Sequence, residues 1–139
     1  MNQEEMAAAL EASGDYKVLR RIKPRDHINP PDGAATKTAL FVDVETTGLS
    51  PIRDEIIELA MVPFSYGPDG RIYEIREPYQ SFNEPKSRIS EEITKITGID
   101  QTMVAGQKID WAAVEECVGK VDIILAHNAA FDRRFLERY

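Results

Sequence analysis

Ala39-Leu40-Phe41-Val42-Asp43-Val44-Glu45 is a nearly continuous apolar run that ends in two carboxylates, the pattern of a central strand covered on both faces. A polar loop over 46–54 follows. Residues 55–66 give a second strand, Gly67-Pro68-Asp69-Gly70 a turn, and 71–79 a third strand that Pro78 ends or confines to an edge. These three read as an antiparallel meander. The apolar period then lengthens to that of helices. Ser90 with Glu91 and Glu92 opens a short helix closed by Gly98, and Asp110 caps another, carrying Trp111, Val114 and Val118, that ends at Gly119. Residues 121–126 form a further buried strand, reached through helical crossovers and therefore expected parallel to its neighbour. A last helix is expected from Asn128 through Tyr139. Ahead of this α/β part, Asn2 caps a helix through Ala12, Gly14 ends it, and Asp15 caps a second run to Lys23 that Pro24 stops. With Pro30-Pro31 and Asp32-Gly33, residues 24–37 read as a linker or an ordered loop. The expected organisation is a helical hairpin and proline-rich linker over residues 1–36 and an α/β domain over 37–139.

Composition narrows the class. With 42% hydrophobic and 29% charged residues, 139 positions suit one domain with one core. No stretch approaches the roughly 18 apolar residues of a membrane span, and the start lacks a cationic segment followed by an apolar one, so a cytoplasmic protein without membrane contact is expected. A single cysteine, Cys117, excludes an internal disulfide and a thiolate metal site, and its apolar-periodic setting favours packing. The net charge of −7 excludes a protein that coats nucleic acid through its overall field, so any such contact must be local. Lys17, Arg20, Arg21, Lys23 and Arg25 place five cations within nine positions. Clusters of this size are common on solvated helix ends.

Two groups of residues carry chemistry. Asp43 and Glu45, two apart on a strand, emerge on one face, while Leu40, Val42 and Val44 take the other. Adjacent carboxylates repel, and desolvating them is costly unless a cation compensates. No lysine or arginine follows until Arg53, which makes a hard divalent cation the fitting counter-charge. The plainer alternative is a solvated strand end bearing two acids. In the second group, His127-Asn128-Ala129-Ala130-Phe131-Asp132, Asn128 is a suitable N-cap, and Asp132 shares a helix face with Phe135, Leu136 and Tyr139. A carboxylate on the apolar stripe faces the core; the alternative is compensation of the helix dipole in the first turn. Alone, His127 reads as a strand-end residue bonded to backbone and Phe131 as core; Asp54 and Glu58 are further candidates for an acidic site, with a solvated strand edge as the favoured reading.

Taken together, Phe41-Val42-Asp43-Val44-Glu45-Thr46-Thr47-Gly48-Leu49 and His127 to Asp132 resemble the first two motifs of the four-carboxylate 3′→5′ exonuclease superfamily. That family includes the proofreading epsilon subunit of bacterial DNA polymerase III, ribonuclease T and oligoribonuclease. The resemblance covers residues 37–139. It implies a ribonuclease-H-like α/β fold: a mixed sheet of an antiparallel meander plus a parallel strand, flanked by helices. It also implies two magnesium or manganese ions, with Asp43, Glu45 and Asp132 as catalytic metal ligands, and release of nucleoside monophosphates from a 3′ end. By the same likeness Thr46, Thr47, Gly48 and Leu49 hold the terminal nucleotide, Leu49 against the last base. Ile99, in Gly98-Ile99, lines the base pocket, and Asn128 and Phe131 flank the scissile end. The implied partners are single-stranded DNA with a 3′ end, RNA being equally compatible, and a DNA polymerase subunit.

The family's third motif, a histidine followed within a few residues by an aspartate, has no match here, so the edge strand and last helix are expected to be missing. The expectation is an incomplete, inactive part of a longer enzyme. Two other readings stay open: a non-catalytic binding module on the same scaffold, and a phosphatase of the haloacid-dehalogenase type. In that phosphatase Glu45 would have to stand for an aspartate, and nothing in it predicts the segment from His127 to Asp132.

Overall fold

The computed structural model describes residues 1–139. Its frame is β1, Lys37–Thr46, which pairs antiparallel with β2, Ile56–Tyr66, along nearly its whole length. On the far edge of β2 lie two short strands, β3 (Ile72–Ile75) beside Phe64 to Tyr66 and β4 (Tyr79–Phe82) beside Glu58 to Met61. The expected third strand is thus two strands in line. Pro78, which has no N–H to give a ladder, sits in the break between them.

The chain then forms α2 (Glu91–Thr97), α3 (Gln101–Val104) and α4 (Trp111–Val118) before β5 (Ile123–Leu125), which pairs parallel to β1 as expected. The final helix, α5, spans Ala129–Leu136. The caps at Ser90 and Asp110 are as read: their side chains accept from the Ile93 and Ala113 N–H groups. Gly98, at φ 77°, closes α2 in the left-handed conformation. Asn128 precedes α5 but makes no side-chain cap bond, and regular helix stops at Leu136 rather than running to Tyr139. The sequence reading missed α3, a single turn capped by Asp100.

Leu40, Val42 and Val44 of β1, Ile56, Leu59 and Met61 of β2, Ile109, Val114 of α4 and Phe135 of α5 make the main core. They lie on one face of the sheet, as alternation along β1 requires. The other face of β1 is not covered as the apolar run suggested, for Phe41 is 45% exposed. A smaller cluster joins Ile57 to Ile89, Ile99 and Val104. Between α4, α5 and β5 runs an apolar cleft of about 430 Å³, where Trp111 stacks on Tyr139 at 4.2 Å between ring centroids.

The amino-terminal part differs from a hairpin. The first helix, α1, spans Gln3–Ala12 and has the reciprocal bonds of a capping box between Asn2 and Glu5. The second expected helix, 15–23, does not form. A run that short is unstable in water unless it docks an apolar face, and Leu19 and Ile22 here are almost fully exposed. The proline-rich segment is an ordered strap. The Ile28 N–H donates to the Tyr73 carbonyl at 2.8 Å, the Ile75 N–H to the Asp26 carbonyl at 2.7 Å, and the Asn29 amide to the Ile72 carbonyl at 2.7 Å. The Tyr73 hydroxyl and Arg71 guanidinium both donate to Asp32. The strap covers the outer edge of β3.

Since Phe135 is fully enclosed where α5 meets the sheet, Phe135→Ala is expected to lower stability by about 3–5 kcal/mol. The midpoint of urea unfolding measures this. Leu49→Ala, at an exposed loop tip, serves as the control and is expected to shift it by less than about 0.5 kcal/mol.

Candidate active site

The site is assembled where β1 outruns β5. Pairing of β1 with β5 ends at Phe41 opposite Leu125, so the Val44 N–H, which faces that side, has no strand to meet. The Asp132 carboxylate fills the gap: its Oδ1 accepts from the Val44 N–H at 3.2 Å, across 88 residues of sequence. At the other end of the same pairing, Asp122 Oδ2 accepts from the Thr38 N–H at 2.8 Å. Asp132 is therefore turned inward, 4% exposed, and stands in the first turn of α5 next to the strand that carries Asp43 and Glu45.

Asp43 and Glu45 share the less covered face of β1. Directly across the ladder from Glu45 is Glu58 of β2, and a register shift follows at once between Glu45 and Thr46. Like charges opposite one another on a sheet repel, and the irregularity re-aims the strand where they meet. Glu58 is held on its outer side by the Gln80 amide at 2.5 Å. The sequence reading set Glu58 aside; the signal that could have found it is its place in an otherwise apolar stretch of β2.

Glu45 and Asp132 hold protons more tightly than isolated carboxylates do. For Glu45 the causes are partial burial first, then the negative charges of Asp43, Glu58 and Asp132. For Asp132 burial again leads; its backbone hydrogen bonds oppose it, Asp43 adds to the rise, and His127 acts the other way. No lysine or arginine contributes to either. The side chains are near enough to repel but do not converge: no three histidine, cysteine or acidic groups stand close enough together to enclose a metal ion. Hard oxygen donors with no lysine or arginine beside them suit a hard divalent cation.

The loop after β1 is braced from within. The Thr46 hydroxyl donates to the Gly48 carbonyl at 2.6 Å, and the Thr47 hydroxyl accepts from the Glu55 N–H at 3.0 Å and donates to Asp54 at 3.3 Å. Asp54 also accepts from the Ser50 N–H at 2.8 Å, while its carbonyl takes the Arg138 guanidinium at 2.7 Å. Gly48 lies so close to the Asp54 carboxylate that a Cβ would come within 2.6–2.7 Å of it. Both threonine hydroxyls and Asp54 thus hold the loop's shape, while Leu49 projects from it, 84% exposed. Asp54, which the sequence suggested was a solvated strand-edge acid, is the loop's brace. Of the remaining residues, Ile99 is buried in the small cluster, Asn128 is exposed, and Phe131 packs tilted on Phe135 at 5.0 Å.

Sheet order, a paired-acid strand end and an inward aspartate on the following helix define a nuclease scaffold, and the chain belongs to the exonuclease family represented by RNase T, which matches residues 40–139. It is 39% identical over 101 residues to the PolC-type DNA polymerase III of Thermotoga maritima, a match that spans 71% of this chain. It is 40% identical over 112 residues to the Staphylococcus aureus protein of the same description, a match that spans 77% of this chain. Both matches cover only 7% of those polymerases. Among solved structures, exonuclease I of Methylocaldum szegediense aligns with a TM-score of 0.58 at 22% identity, over 71% of this chain and 22% of its own. Exonuclease X in complex with 5′-overhanging duplex DNA aligns at 0.53 with 31% identity, over 70% and 52%. The mixed sheet is the ribonuclease-H-like exonuclease fold that the motifs implied. No helix is long and apolar enough to cross a membrane.

Two outcomes follow from this geometry. Gly48→Ala is expected to push Asp54 off the loop, seen as faster hydrogen exchange at the Ser50 and Glu55 amides with the core amides unchanged. Glu45, with its raised proton affinity, weakens the fold progressively as pH rises from the ordinary carboxylate value through its raised one. Glu45→Gln is therefore expected to raise the Tm of the metal-free protein by roughly 2–4 °C at neutral pH, and by nothing once the solution is acidic enough to protonate Glu45.

Proposed function

We propose that this chain carries the metal-binding face of a divalent-metal-dependent 3′→5′ exonuclease acting on single-stranded DNA ends in the company of a DNA polymerase. The observation that carries the reading is the buried Asp132, brought beside Asp43 and Glu45 by its bond to Val44, in a group of acids with no lysine or arginine partner. The identity to PolC-type polymerases supports the polymerase setting. DNA as substrate is supported by exonuclease X, solved with 5′-overhanging duplex DNA. The chain spans a small part of the polymerase relatives, so the activity is proposed for the protein that contains it.

Asp43, Glu45 and Asp132 would hold two magnesium or manganese ions, which in such sites generate the attacking hydroxide and stabilise the leaving 3′ oxygen. The chain's own residues place the strand. Leu49, free at the loop tip, offers an apolar contact to the terminal base, and the bonds within the 46–55 loop hold the turn from which it projects. Asn128, at the start of α5, has an uncommitted side chain for the scissile end. Contacts to base faces and sugar-phosphate carry little sequence preference, so broad substrate sequence tolerance goes with this reading. The histidine and fourth acid of the family's third motif have no match in residues 1–139, so turnover by this chain alone is expected to be very low, whereas metal binding is directly measurable.

Calorimetric titration with magnesium or manganese is expected to show binding that Asp43→Asn weakens at least tenfold. Apparent affinity is expected to climb with pH through the raised proton affinities of Glu45 and Asp132, because protons compete for the same oxygens. For the protein that contains this domain, a 5′-labelled oligonucleotide is expected to shorten from its 3′ end, and Asp43→Ala to slow this by roughly a hundredfold or more. Retained cleavage in that variant rejects the assignment; absence of metal binding together with absence of cleavage favours the non-catalytic module. Parallel DNA and RNA oligonucleotides separate the two substrate classes.

A further inference from the structure

The basic cluster is not part of a helix end. Lys17, Arg20, Arg21, Lys23 and Arg25 all lie exposed on an irregular segment, and of the five only Arg20 is ion-paired, to Glu4 at 2.8 Å. Elsewhere in the chain ion pairs are local, Arg71 with Asp32 and Asp69, Arg76 with Glu74, Lys120 with Glu116 and Arg133 with Glu137. Interleaved with the cluster are Tyr16, Leu19 and Ile22, which are 60%, 93% and 91% exposed. An exposed aromatic among unpaired cations is the composition of a segment that stacks on bases while neutralising phosphates.

The strap fixes where this segment departs. His27 bridges antiparallel to Glu74, β3 is antiparallel to β2, and β2 to β1. The strap therefore runs opposite to β1, and the residues before Asp26 leave it toward the end of the sheet where β1 presents Asp43 and Glu45. A chain of net charge −7 with clustered acids at its site repels a polyanion, so a strand reaching that site needs a local cationic hold.

We infer that residues 16–25 are a second nucleic-acid contact, an irregular cationic tether for the phosphates of a single strand whose end lies at the acidic site. The inference rests on the nucleic-acid substrate proposed above, not on the cleavage chemistry. The probe is fluorescence anisotropy of a labelled twenty-nucleotide dT oligomer with the full chain in EDTA, where no metal-dependent cleavage proceeds. Replacing Lys17, Arg21, Lys23 and Arg25 together by Gln, with Arg20 left on Glu4, is expected to weaken binding at least tenfold at low salt. It is also expected to reduce the slope of log K against log salt by about 3, at about 0.7 per cation lost. Tm is expected to stay the same, because none of the four packs on the core. Tyr16→Ala is expected to weaken binding without changing the salt slope. Because binding is read in EDTA, failure of the metal reading leaves the tether standing. Equal affinity and equal salt slope for parent and quadruple variant overturn the tether. Charge-dependent binding of the segment to vesicles containing phosphatidylserine, with none to the oligonucleotide, overturns it in favour of a membrane contact.

Discussion

The hydrogen bond from the Val44 N–H to Asp132 closes a ladder that β5 leaves unfinished, and the site depends on it. Without a partner that N–H would be an unpaired donor at the edge of the core, an arrangement folded proteins avoid. A carboxylate satisfies it at the cost of burying an acid, and that acid is thereby fixed against the one strand that carries two more. The same contact seats α5, whose Phe135 fills the centre of the main core. Helix position, core packing and acid placement are consequently one arrangement, and none can shift without the others.

Much of this was visible in the chain as text. The two-residue spacing of Asp43 and Glu45 gave a common face, the caps at Ser90 and Asp110 stand where their sequence put them, and the order of strands and helices sufficed for the sheet. What escaped reading depends on contacts between distant residues. Nothing local says that Glu58 stands across from Glu45, because register is set by pairing along the whole of β2. Asp54 looked like a surface acid, and its bonds from the Ser50 N–H and the Thr47 hydroxyl, with Gly48 close against it, show it to be the loop's brace. The helix expected over 15–23 had the right cap and the right period but no surface to lie on, and packing rather than propensity decides so short a run. Asn128 illustrates the converse: a residue suited to capping, left without a cap bond.

The acids at the end of β1 leave the folded chain with an electrostatic debt that its own side chains do not settle. Burial and mutual repulsion both favour protonation of Glu45 and Asp132. Such a site is least comfortable when empty and ionised, so its fold and its affinity for cations pull in opposite directions. Polyanion binding meets the same field from outside, which is why unpaired cations on an exposed, irregular arm matter more here than they would on a basic protein.

The strap has a consequence for where the domain can be cut. The family match starts at residue 40, and a boundary drawn there, or at the first residue of β1, discards the segment from Asp26 to Thr36. The outward backbone groups of Tyr73 and Ile75 would then lose their partners, and β3 would become a bare margin open to pairing with another molecule. A trimmed version that keeps every acid of the site is thus the version most prone to self-association.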